Sequence, residues 1–61
     1  MNCIAIDDEP LALRKIVDFI NKVPFLNFKA SFDNWLEALA YLKTESVDLI
    51  FLDIQMPEIK G

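Results

Sequence analysis

The chain has 61 residues and a mass of 7.0 kDa, enough for one small domain or a piece of a larger one. With 54% hydrophobic and 26% charged residues it has the composition of neither a disordered tract nor a membrane segment. The single cysteine, Cys3, excludes an intrachain disulfide, the lack of histidine excludes a His/Cys zinc site, and six basic against ten acidic residues, a net charge of −4, argue against binding a phosphate backbone.

No apolar run approaches the roughly 20 residues of a spanning helix, and no signal-peptide pattern opens the chain. A cytoplasmic protein that touches neither nucleic acid nor membrane is the expectation. A cation at a cluster of acids remains open to it. A chain of about 60 residues buries only around 60% of its unfolded surface and usually needs a staple or a partner. This one is unusually apolar and has no staple, so surfaces that something else covers are expected.

Asn2-Cys3-Ile4-Ala5-Ile6 is an apolar run that ends in Asp7-Asp8-Glu9-Pro10. It reads as a strand over 2–7, with Cys3 a small buried hydrophobe. Pro10 suits the first turn of a helix because it has no amide hydrogen to leave unpaired. Leu13, Ile16, Val17 and Ile20 then recur at helical spacing, with Arg14, Lys15, Asp18 and Lys22 opposite. The spacing predicts an amphipathic helix over 10–23, closed by Pro24.

Leu26, Phe28 and Ala30 alternate with Asn27, Lys29 and Ser31. A period of two predicts a strand over 26–31 with one buried face, as at a sheet edge. Asp33 or Asn34 can cap the next helix, where Trp35, Ala38, Leu39 and Leu42 follow helical spacing. Trp35 belongs either to the buried stripe of that helix or to its solvent edge. Phe19, Phe25, Phe28, Phe32 and Phe51 read as core and rim packing. Residues 48–53 enclose an unbroken apolar stretch between two aspartates, suited to a strand buried on both faces. Residues 54–61 read as the loop beyond it.

The order β-α-β-α-β predicts a parallel, doubly wound sheet. If 26–31 is an edge, right-handed crossovers put strand 2–7 in the middle and 48–53 on its other side, an order of 2-1-3 with the helices on opposite faces. Ligands of such sheets bind beyond the carboxyl ends of the strands at the switch point, between the first and third strands here.

Asp7 and Asp8 end the first strand and Asp53 ends the third. If those strands are neighbours, three carboxylates meet at the switch point. Like charges that close raise each other's pKa or recruit a cation. Oxygen ligands without His or Cys favour Mg2+ or a similar hard ion, which could clamp phosphoryl oxygens while a carboxylate attacks phosphorus. Asp33 and Asp48 are better explained as helix caps. Glu9 is either a third acid of the site or favourable charge at a helix start, and the second explains it more simply.

Asp7-Asp8-Glu9-Pro10 after a hydrophobic strand, with Leu-Ile-Phe-Leu-Asp53-Ile-Gln55-Met56-Pro57 and Gly61 further on, resembles the receiver domain of bacterial two-component response regulators. The wording Asp-Asp-Glu-Pro-Leu-Ala-Leu and Phe-Leu-Asp-Ile-Gln-Met-Pro looks most like the branch with a LytTR-type DNA-binding output domain. The resemblance implies a flavodoxin-like fold. It makes residues 1–61 the N-terminal half of a receiver, ending in the loop after the third strand. It makes Asp53 the phosphoacceptor for a phosphohistidine on a sensor kinase. Asp8 matches the direct Mg2+ ligand, Asp7 its partner, and Gln55 the position whose backbone carbonyl completes the metal site. Met56, Pro57 and Gly61 match the following loop, with Lys60 departing from the Asp or Asn frequent there.

Receivers also carry a Ser or Thr after a fourth strand and a Lys after a fifth, and these 61 residues contain neither element. The resemblance implies a phosphoacceptor, not an enzyme. The alternative is an inert fragment that lacks the Ser/Thr and Lys of the switch and self-associates through its exposed third strand. A hydrolase with an aspartyl-phosphate intermediate would want an acid where Gln55 stands. A nucleotide-binding module would want a glycine-rich first turn, and Gly61 is the only glycine.

Overall fold

A computed structural model of the chain describes residues 1–52. The elements run β1 (Asn2–Ile6), α1 (Pro10–Lys22), β2 (Asn27–Phe32), α2 (Trp35–Thr44) and β3 (Leu49–Leu52). The three strands form one parallel sheet in the order β2-β1-β3, the truncated flavodoxin-like arrangement expected from the alternation of periods. Among the described residues no helix is long and apolar enough to cross a membrane.

The central strand is the core. Cys3, Ile4 and Ala5 are wholly buried, and Ile6 nearly so. Side chains of a strand alternate between faces, and β1 serves both. Cys3 and Ala5 pack with Ile20 of α1, whereas Ile4 and Ile6 pack with Ala38 of α2. Each helix thus covers one face. Full burial of an isoleucine such as Ile4 or Ile20 contributes about 2 kcal/mol.

β2 departs from a plain alternation. Its register against β1 shifts between Cys3 and Ile4, where Cys3 pairs with Phe28 but Ile4 pairs with Ala30. The extra residue, Lys29, forms a bulge, and a one-residue step exchanges the faces of everything after it. Leu26 and Phe28 consequently pack on the α1 side while Ala30 and Phe32 pack on the α2 side. The expected single buried face of this strand is divided between two cores.

Two further expectations are corrected. β3 contributes to both faces, Phe51 on the α1 side and Ile50 on the α2 side, but is not fully buried: those two are half-buried, and Leu49 and Leu52 are exposed. The strand lies at the rim of the described sheet, with β1 on one side only. In α2 the stripe facing the sheet is Ala38, Tyr41 and Leu42, whereas Trp35 and Leu39 face outward. Trp35 therefore takes the solvent edge. Among the phenylalanines, Phe28, Phe32 and Phe51 are half-buried, but Phe19 and Phe25 are exposed. The Phe19 ring still meets Phe51 edge-on, with centroids 6.1 Å apart.

Local chemistry explains the joints. α1 ends at Val23, whose amide donates to the Ile20 carbonyl. The Leu26 amide then donates to the Val23 carbonyl at 3.1 Å, closing a turn with Pro24 at its second position. No described residue has positive φ, so this is a type I turn, for which proline at that position is preorganised. Before α2, the Asn34 side chain accepts from the Glu37 amide at 2.9 Å. Asn34, not Asp33, is the cap; Asp33 orients it by accepting from its side-chain amide at 2.8 Å.

The amino ends of the strands are tied together. The terminal ammonium of Met1 donates to the Phe25 carbonyl at 2.8 Å, and the Asn27 amide donates to the Met1 carbonyl at 2.7 Å. On the other side of β1 the Asn2 amide donates to the Asp48 carboxylate at 2.8 Å. The Asp48 amide returns a bond of the same length to the Asn2 carbonyl. Asp48 therefore caps a strand pair instead of a helix.

Candidate functional site

Because the three strands are parallel, all of their carboxyl ends emerge on one side. β1 delivers Asp7, Asp8 and Glu9 there, and β2 delivers Asp33 and Asn34. The pairing of β1 with β3 runs from Cys3 with Leu49 to Ile6 with Leu52. The predicted site residues Asp53 and Gln55, with Met56, Pro57, Lys60 and Gly61, lie outside the described residues.

The two acids of the first loop differ in environment. Asp7 is 7% exposed, the one buried polar side chain among the described residues, and Asp8 is exposed. The Asp7 amide donates to the Phe32 carbonyl at 3.1 Å, which continues the β1–β2 ladder one step and draws the side chain into the sheet end. Its Oδ1 accepts the Glu9 amide at 2.8 Å. Its Oδ2 is buried with no hydrogen-bond partner among the described residues.

A buried carboxylate oxygen without a donor costs free energy, and such groups need a reason. Here the donor chemistry fits a hard cation. The candidate ligands are oxygens, one buried and unpaired on Asp7 and others exposed on Asp8, an arrangement suited to an ion that keeps several waters. Among the described residues no three acidic, histidine or cysteine side chains converge as a closed metal cluster. Of the predicted set, Asp7 and Asp8 are the members that lie among the described residues.

Glu9 proves to be the N-cap of α1, its side chain accepting from the Leu11 amide at 3.4 Å. Asp33 stands at the same end of the sheet but its Oδ1 is engaged by Asn34, and Asp48 stands at the opposite end. The sequence gives no sign of the Phe32 carbonyl as the anchor of Asp7, because a backbone acceptor carries no side-chain signature. Only the strand register reveals it.

Residues 3–61 match the family described as the response regulator receiver domain. Protein MrkE of Klebsiella pneumoniae is 38% identical over the whole chain, which covers 23% of that protein. The transcriptional regulatory protein YpdB of Escherichia coli K12 is 34% identical, again over the whole chain and 25% of the relative. The sensory transduction protein LytR of Staphylococcus haemolyticus is 34% identical over the whole chain and 24% of its own length. The chain thus spans about a quarter of the length of these curated relatives. No solved structure gives a significant match. With a parallel 2-1-3 sheet, an aspartate pair at the end of its central strand and a family match over nearly all of its length, the chain belongs to the response regulator receiver domain family.

Proposed function

We propose that this chain is the phosphoacceptor segment of a two-component receiver, taking a phosphoryl group from a sensor histidine kinase onto Asp53. The observation that carries the reading is the buried, unpaired Oδ2 of Asp7 beside a β1–β3 register whose last pair, Ile6 and Leu52, precedes Asp7 and Asp53 in the sequence.

In this reading Asp7, Asp8, Asp53 and the backbone carbonyl of Gln55 hold Mg2+, which when bound supplies positive charge against the phosphoryl oxygens. The remaining work falls to the chain. An Asp53 carboxylate oxygen attacks phosphorus, the bond from phosphorus to the donor imidazole breaks, and its electron pair returns to nitrogen with a proton. Asp7 is held in place by Phe32 and Glu9, so it need not reorganise during the transfer. The residue accepts a group and passes on a state; it does not turn over substrate as an enzyme would.

The reading extends to the whole protein. A cytoplasmic regulator of the LytTR type, with a DNA-binding transcriptional output domain elsewhere in its chain, accords with relatives named as a transcriptional regulatory protein and a sensory transduction protein LytR. Nucleic-acid contact would then belong to that domain, because this acidic segment repels phosphate. The test is incubation with a small phosphodonor with and without Mg2+. Hydroxylamine-labile phosphate that depends on Mg2+ is expected of an acyl phosphate, and its absence would overturn the reading.

A second reading has its own observation. The outer side of β3 pairs with no strand among the described residues, and Leu49 and Leu52 there are 37% and 39% exposed. A bare apolar edge templates strand pairing, so the 61-residue chain associates with a second copy through β3, inert or not in phosphotransfer. Light scattering that gives a 7.0 kDa monomer at high concentration would contradict it.

A further inference from the structure

We infer that Glu9 is a positioning residue for the cation site, acting through Asp7 and not as a ligand. The inference deepens the phosphoacceptor reading and rests on it. Asp7 is buried, yet among the described residues only one of its carboxylate oxygens is held: Oδ1 accepts the Glu9 amide at 2.8 Å, and Oδ2 has no partner there. Anchoring one oxygen fixes the plane of the carboxylate and leaves the other directed at whatever binds there.

Glu9 itself is fixed from the other side. Its backbone is extended, with φ −98° and ψ 115°, and α1 begins at the next residue. Its carbonyl accepts the Leu13 amide at 2.9 Å, and its side chain accepts the Leu11 amide at 3.4 Å. Pro10 has no amide hydrogen, so Leu11 offers the first free donor of the helix. One residue thus ties the cation-facing acid, through its amide, to the first turn of α1, through its carbonyl and side chain.

Glutamate is not among the preferred N-caps, which are Ser, Thr, Asp and Asn. A direct ligand role for its carboxylate has no support in the geometry. That side chain bonds back to Leu11, and Asp7, Asp8 and Glu9 form no converging cluster of three. The capping bond, and with it the orientation of the Glu9 amide toward Asp7, accounts for the residue.

The discriminating experiment compares the 61-residue chain with its Glu9→Gln and Glu9→Ala variants by Mg2+ titration calorimetry, with amide hydrogen exchange at Leu11 and Leu13. Gln keeps the capping oxygen and loses the charge; Ala loses both. Positioning predicts that Glu9→Gln binds Mg2+ like the parent. Glu9→Ala should bind about fivefold more weakly, the equivalent of one lost cap, with faster exchange at Leu11. Mg2+ should slow exchange at Leu11 and Leu13 in the parent. Equal weakening in both variants would overturn the inference in favour of direct charge attraction, and unchanged binding in Glu9→Ala would overturn it outright. A parent that binds no Mg2+ would overturn the cation site itself before any variant is compared, and this inference with it.

Discussion

Ile6 of β1 and Leu52 of β3 are register partners in a parallel pair, and in the sequence each stands directly before an aspartate, Asp7 and Asp53. A slip of one residue between these strands would exchange their faces. The register is fixed at the far end, where Asn2 and Asp48 exchange a backbone bond and a carboxylate bond, each 2.8 Å long. A residue remote from Asp7 therefore helps to set how β1 and β3 meet beside it.

Asp48→Ala should accordingly destabilise the fold modestly, by about 0.5 to 1 kcal/mol for an exposed charge-assisted bond. Urea denaturation reads this as a lower midpoint with an unchanged slope. An unchanged midpoint would mean that the tie does not hold the strands.

Asp7→Asn should weaken Mg2+ binding, because it removes the carboxylate charge while keeping an acceptor for the Glu9 amide. Titration calorimetry of the parent and the variant with Mg2+ checks this, and equal affinities would show that Asp7 takes no part in a cation site.

The two cores carry the fold, and the outward apolar side chains do not. Ile20 is wholly buried, whereas Leu36 is 81% exposed. Ile20→Ala should cost about 2–5 kcal/mol, comparable with the whole stability of about 3–9 kcal/mol expected for a chain this short, and should abolish cooperative unfolding at 37 °C. Leu36→Ala should stay within about 0.5 kcal/mol. Circular dichroism melts of the two variants separate these outcomes, and a large loss from Leu36→Ala would reveal a contact on that face.

Much of this was legible beforehand, because the apolar run of β1 and the helical period of α1 come from burial on faces that the sequence encodes directly, and in α2 the same holds of Ala38 and Leu42 but not of Trp35 and Leu39. Pro10 and Pro24 mark the ends of α1 almost to the residue. The central place of β1 followed from its unbroken apolar run against the alternation of β2. What stayed hidden depends on relations between strands. The bulge at Lys29 changes no local pattern, since Phe28, Ala30 and Phe32 still alternate with polar residues, yet it sends Phe28 to a different core from the other two. β3 reads as doubly buried because apolar residues record the burial a sequence is suited to, and a strand at the rim does not receive it. At the site, the acids were readable from composition at strand ends, while the asymmetric holding of Asp7 by Phe32 and Glu9 was not.

Cys3 offers a pH test of the central strand. Burial pushes its thiol above the ordinary range, against a smaller opposing pull from the N-terminal ammonium. An acid with a raised folded pKa is held neutral by the fold. Its contribution is complete below the unfolded value, about 8.5, and is lost as pH rises through the folded value. Stability should therefore decline at alkaline pH, and native Cys3 should react slowly with a maleimide at pH 8 compared with the urea-unfolded chain. Equal rates would show that β1 is open to solvent.

The most direct measurement is intact-mass spectrometry after incubation with a small phosphodonor and Mg2+, on the parent chain and on Asp53→Asn and Asp8→Asn. The account predicts one phosphoryl adduct on the parent, none on Asp53→Asn, and a strongly reduced yield on Asp8→Asn. No adduct on the parent, or an adduct that persists in Asp53→Asn, would contradict it.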